Sequence, residues 1–147
     1  AQGRKLQAPS INLQTDTRPS KSQVGNVVNS FIGKQKQVPP AYSALKIKGK
    51  KAYDLARKGI VPQLEPRSIT VHSIKLVSYD YPKLNIHCEV SAGTYIRSLA
   101  RDIGKALAVG AYLNNLRRTN IGKFSVQNAT SLDKLTKENW EKFAVNL

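Results

Sequence analysis

The sequence has no methionine, one cysteine, one tryptophan and only nine carboxylates among 147 residues. Each shortage closes off a class of protein. With Cys88 alone, no internal disulfide can form, which fits a reducing compartment such as the cytoplasm. Cys88 lies in LNIHCEV, where Leu84, Ile86, Cys88 and Val90 alternate, so it reads as a small core residue on a strand. His72 and His87 have no second cysteine or ligand cluster near them, and zinc-ligand spacing is absent. No run of about 18 apolar residues exists to cross a membrane as a helix, and no signal-peptide core opens the chain.

The scarcity of acid stands against 24 lysines and arginines, for a formal net charge of +15. That excess points to a polyanionic partner, nucleic acid first, with an anionic membrane or plain solubility as the competing readings. None of the nine acids sits in a recognisable catalytic motif; Asp80 reads as turn chemistry and Asp102 as a surface or supporting charge. No serine–histidine–aspartate arrangement and no phosphate loop can be traced. The residues alone describe an RNA-binding domain without a visible catalytic engine.

Hydrophobic periodicity predicts an α+β chain with a mixed or mostly antiparallel sheet. Residues 1–20 have no clear period and read as a loop with at most a short strand. Val24, Val27, Val28 and Phe31 recur at helical spacing between a Ser20 cap and a Gly33 stop. Residues 35–59 are irregular around Pro39–Pro40, with KIKGKK as a hairpin tip and KAYDLARKG as a short helix. Strands over 69–79 and 84–92 pair through the DYPK turn, with a bulge near Ser73. Ile96, Leu99, Ala100, Ile103 and Leu107 then mark one face of a helix over 96–108, stopped near Gly110. AYLNNLRRT reads as a second helical segment, GKFSV as a strand, and the tail from Ser131 as one or two short helices.

Three clusters carry candidate chemistry. Lys46, Lys48, Lys50, Lys51, Arg57 and Lys58 fall within one short stretch interleaved with Tyr42 and Tyr53. Cations for phosphates and rings for splayed bases suit RNA; a solvated charged loop is the bland alternative. Tyr95 and Arg97, two apart in GTYIRSLA, point to one side if the stretch is extended, where a ring stacks a base and a guanidinium pairs an anion. The alternative puts Tyr95 in the core and leaves Arg97 as a surface charge. Leu116-Arg117-Arg118 could bind phosphate or simply end a helix.

VPPAYSALKIKGKKAYDLARKGI, GTYIRSLARDIGKAL and GAYLNNLRRTNIGKF together resemble, in order and spacing, the bacterial tRNA pseudouridine-55 synthases of the TruB type. QTDT at Gln14–Thr17 resembles that family's T-D-T segment. The resemblance runs from about residue 15 to about residue 135, and implies isomerisation of a tRNA T-arm uridine without a cofactor. It implies that Tyr95 lines the pocket for the flipped uridine, that Arg97 supports the catalytic aspartate, and that Leu116 lines the same pocket. Residues 35–59 correspond to a mobile thumb that docks on the T-arm, with Tyr42, Lys46 and Arg57 as contacts and Arg117 as a further substrate contact.

Residues 1–14 match poorly: Lys5 stands where the family has a second pocket tyrosine, and Asn12 where it has a glycine. The family's aspartate-bearing motif lies upstream of T-D-T and has no counterpart among these residues. We therefore expect the RNA-binding, site-supporting half of a catalytic domain. Residues 136–147 are read as a helical tail, and the upstream half is the expected partner besides tRNA. A half-domain is expected to expose a sheet edge or apolar face, and to be marginally stable or self-associating.

Overall fold

The computed structural model describes residues 4–13, 18–40, 46–47, 50–51 and 64–143, with side chains for residue 11, 18–40 and 64–143. Five strands form one sheet in the order β2-β5-β6-β1-β7. They span Arg4–Leu13 (β1), Gly33–Gln37 (β2), Arg67–Asp80 (β5), Lys83–Val90 (β6) and Ala111–Arg118 (β7). Every pairing is antiparallel. Two small hairpins stand apart: Lys46–Ile47 (β3) with Lys50–Lys51 (β4), and Asn120–Ile121 (β8) with Phe124–Ser125 (β9). Among the described residues the α-helices are Lys21–Ser30 (α1) and Ile96–Ala106 (α2).

The α1 boundaries follow from local chemistry. The Ser20 hydroxyl accepts from the Gln23 N–H at 3.2 Å, and the Gln23 side chain accepts from the Ser20 N–H at 2.8 Å. This reciprocal box satisfies two donors that a helix start leaves orphaned. At the far end Gly33 takes φ +114, outside the range of most side chains, and opens β2. The expected hairpin is present as β5 and β6, turning at Tyr81–Pro82 and shifting register between Val71 and Ser73, where the slip in alternation predicted it.

The core lies between one sheet face and the two helices. Leu84, Ile86, Cys88 and Val90 of β6 are buried with Val71 and Ile74 of β5, Ile11 of β1, Val24 and Val28 of α1, and Leu99 and Ile103 of α2. Ile96, Leu99, Ala100 and Ile103 of the expected α2 face are buried, with Leu107 partly so, and Cys88 of β6 is fully buried in the same core. Burial pushes the Cys88 thiol up to about 11, the state of a packed and unreactive cysteine.

Three expectations are corrected. Residues 4–13 form a ten-residue strand, because backbone pairing with β6 and β7 on both sides overrides a weak local signal. Residues 35–37, expected to begin an irregular stretch, belong to β2 and pair with β5. Residues 111–118, expected as a helix, form β7, held by its ladder to β1. Among the described residues, the tail from Ser131 forms two short helices of the 3-10 kind, at Leu132–Lys134 and Trp140–Phe143. The expected helix at KAYDLARKG lies outside the described residues.

Candidate functional site

The GTYIR stretch forms the corner between β6 and α2. Gly93 takes φ +82, and the chain folds back there. Ser91 ties the corner to β5: its N–H donates to the Thr70 carbonyl at 2.8 Å, and its hydroxyl accepts from the Thr70 N–H at 2.9 Å. The Thr94 hydroxyl donates to the Ser91 carbonyl at 2.9 Å. Tyr95 is the N-cap of α2, but its own side chain makes no capping bond.

A second residue takes over the cap. The carboxamide of Gln37, only 3% exposed, grips both polar groups of the Tyr95 backbone. The Tyr95 N–H donates to Gln37 Oε1 at 2.9 Å, and Gln37 Nε2 donates to the Tyr95 carbonyl at 3.1 Å. Ser98, also buried, donates from its hydroxyl to the Val38 carbonyl at 2.8 Å. The end of β2 is thereby stapled to the first turn of α2. Sequence reasoning missed both residues. Ser98 did carry a signal, since it is a polar side chain flanked by Ile96, Leu99 and Ala100 on a buried helix face. Gln37 carried none.

Tyr95 is half-buried and Arg97 is exposed. The extended-chain argument for their sharing a side does not hold, because α2 begins at Ile96 and Arg97 is already its second residue. Arg101 and Asp102 form an exposed ion pair at 2.8 Å, so Asp102 is the supporting surface charge expected of it.

Topology brings Leu116 toward the same end. Strand β1 stands between β6 and β7, with Arg4 opposite Val90 and Leu6 opposite Arg118. The corner residues 91–95 join Val90 to the start of α2, while Gly104 near its end packs on the backbone of Gly110 and Ala111. Helix α2 thus crosses from the far end of β6 to the beginning of β7, and the last residues of β7 lie at the Tyr95 end of the sheet. Leu116 is 41% exposed there, with exposed Arg117 next to it. Lys46 lies in β3, and Tyr42 and Arg57 fall outside the described residues.

A ring, a guanidinium and an exposed leucine at one sheet end, in a chain of net charge +15, can stack a base and pair an anion. Among the described residues, no three histidine, cysteine or acidic side chains gather to hold a metal ion. No described helix is long and apolar enough to cross a membrane.

Comparison with known proteins gives this corner its context. Residues 3–96 match the model of the TruB family pseudouridylate synthase N-terminal domain. The chain belongs to the TruB family. Residues 97–145 match the tRNA pseudouridylate synthase B C-terminal domain, so the boundary between the two TruB models falls inside GTYIR, between Ile96 and Arg97.

TruB relatives in sequence include tRNA pseudouridine synthase B of Clostridium tetani, 43% identical over 84% of this chain and 43% of its own length. That of Aquifex aeolicus is 41% identical over 99% of this chain and 50% of its length. That of Protochlamydia amoebophila is 48% identical over 78% of this chain and 44% of its length. The chain spans about half the length of the TruB relatives it matches. Among solved structures, a Cbf5-Nop10-Gar1 complex matches with TM-score 0.72 and 27% identity, over 98% of this chain and 39% of the other. An H/ACA RNP bound to a substrate RNA containing 2'-deoxyuridine shares the fold, with TM-score 0.68 and 24% identity over 98% of this chain and 37% of the other.

Proposed function

We propose that this chain acts in conversion of a tRNA T-arm uridine to pseudouridine, as the part that binds RNA and supports the active site. The observation that carries the reading is membership of the TruB family across residues 3–145, and the placement of Tyr95, Arg97 and Leu116 toward one end of the sheet supports it. In this reading Tyr95 stacks on the extruded uridine and Leu116 closes the pocket wall. Arg97 holds the catalytic carboxylate ionised and oriented, because an opposite charge beside an acid favours its charged form. Tyr42, Lys46 and Arg57 contribute contacts to the RNA. The reaction takes no metal or organic cofactor and occurs in the cytoplasm, with an aspartate-bearing segment of the catalytic domain as partner.

A second reading makes the chain an RNA-binding module without catalysis. It is favoured by Asp102, the acid closest in sequence to the Tyr95–Arg97 corner, being engaged by Arg101. Tritium release from tRNA carrying 5-tritiated uridine, run beside filter binding, tests both. The proposed function predicts tRNA binding by this chain, and release once an aspartate-bearing segment is added. Release by the chain alone would overturn the assignment of the nucleophile elsewhere. Binding with no release under either condition would favour the module, and absence of binding would overturn both.

A further inference from the structure

The sheet has a second face, turned away from α1 and α2, and it carries a cleft of about 710 Å³. Cross-strand register builds it. Lys75 of β5 stands opposite His87 of β6, and Arg117 of β7 stands opposite Gln7 of the intervening β1. The neighbouring row runs Ile74–Cys88–Leu6–Arg118 and begins with two buried residues. One residue along, alternation turns Lys75, His87 and Arg117 to the opposite face. Segment 119–127 forms the other wall, folded back by the Val126 N–H donating to the Thr119 carbonyl at 2.8 Å. Asn120 and Gln127 add polar side chains, and Val77 and Val126 add apolar surface.

The charge balance of this cleft is one-sided. Lys75 and Arg117 are exposed and His87 is half-buried. Among the described residues, no acid lines the cleft. Glu89, the nearest acid on that side of β6, stands opposite Ser73 and Lys5, one alternation step further along. The volume lies within the range of about 300–1,000 Å³ typical of small-ligand sites and is far more than a bare phosphate needs. None of its lining residues belongs to the Tyr95–Arg97–Leu116 corner.

We propose that this cleft is a second RNA contact, holding one nucleotide with its backbone phosphate between Lys75, His87 and Arg117 and its sugar or base against Val77 and Val126. The proposal rests on the RNA-binding reading above and adds that the chain grips RNA on both faces of its sheet. The test measures the salt dependence of binding to a T-arm RNA hairpin by the wild-type chain, K75Q/R117Q, and K21Q/K105Q. The last pair removes the same charge from the helix side. Each phosphate contact contributes about 0.7–0.9 to the slope of log K against log salt. K75Q/R117Q is expected to lower the slope by about 1–2 and weaken binding about tenfold near 100 mM salt, with K21Q/K105Q close to wild type. Equal slopes for the two double variants, with wild-type binding intact, would overturn the cleft and leave the proposed function standing. No binding by wild type would overturn both. Titration with uridine monophosphate distinguishes the source. Tight saturation that displaces the RNA would assign the cleft to a free nucleotide and overturn the RNA contact, whereas weak binding supports it.

Discussion

Two stretches of this chain differ in how they are held. Between Ile11 and Val109 lie all the buried apolar side chains of the described residues; from Gly110 to Phe143 there is none. The first stretch is locked by side-chain packing on both helices. The second is held by its ladder to β1, by half-buried Ala111 and Leu113 against the core, and by short turns. It exposes Tyr112, Leu116, Leu132, Trp140 and Phe143. The contrast teaches that β7, an edge of the sheet, is positioned mainly by its backbone, with most of its side chains exposed.

The largest expected effect that would break this comparison lies in the core. Leu99→Ala or Ile103→Ala should cost about 2–5 kcal/mol, read by urea denaturation, because each leaves a cavity under α2. A cost below about 1 kcal/mol would mean the first stretch is not packed as described. The alkaline limb comes next. Cys88 has its folded value raised to about 11 from an ordinary 9.0, so its folded form holds the proton longer than the unfolded chain. Stability should therefore be untouched below about pH 9 and fall by about 2–3 kcal/mol as pH rises toward 11, a loss that Cys88→Ala abolishes. Thiol labelling at neutral pH should be slow until the protein is unfolded; rapid labelling would sink this.

Gln37→Ala follows, at about 1–3 kcal/mol, because it strands the Tyr95 N–H. Hydrogen exchange at Tyr95 should accelerate in that variant while β6 amides stay protected. Equal exchange in both proteins would show that the staple carries no load. The smallest effect sharpens the contrast. Trp140→Ala should shift stability by no more than about 0.5 kcal/mol despite the size of the ring, since the side chain is 53% exposed. A loss of 2 kcal/mol or more, the scale of buried aromatics, would give the tail a packed role.

What could be read from sequence divides along the same line. The β5–β6 hairpin and α2 announce themselves because their apolar periods are local and unbroken. Strand β1 hides behind Pro9, where the register to β6 skips from Leu6 to Ser10, so the alternation never shows. Strand β7 hides because its register slips between Asn115 and Leu113, leaving Leu113 and Leu116 at a spacing that imitates a helix. Both strands exist through partners far away in the chain. Tyr95, Arg97 and Leu116 could be singled out by residue type, but the roles expected of them came through resemblance to a family; their placement toward one end depends on β1 running between β6 and β7. Gln37 was invisible for the same reason, since its contact with Tyr95 spans 58 residues.

The pairing of β2 with β5 has a consequence for how this chain can change. Gln37 stands directly opposite Arg67, so residues 38–66 leave and rejoin the sheet at neighbouring points. The cost of closing such an excursion grows only with the logarithm of its length. The basic, tyrosine-bearing segment is thus an exchangeable cassette, which could be lengthened, rewritten or replaced by a tight turn while the strands beneath it keep their register.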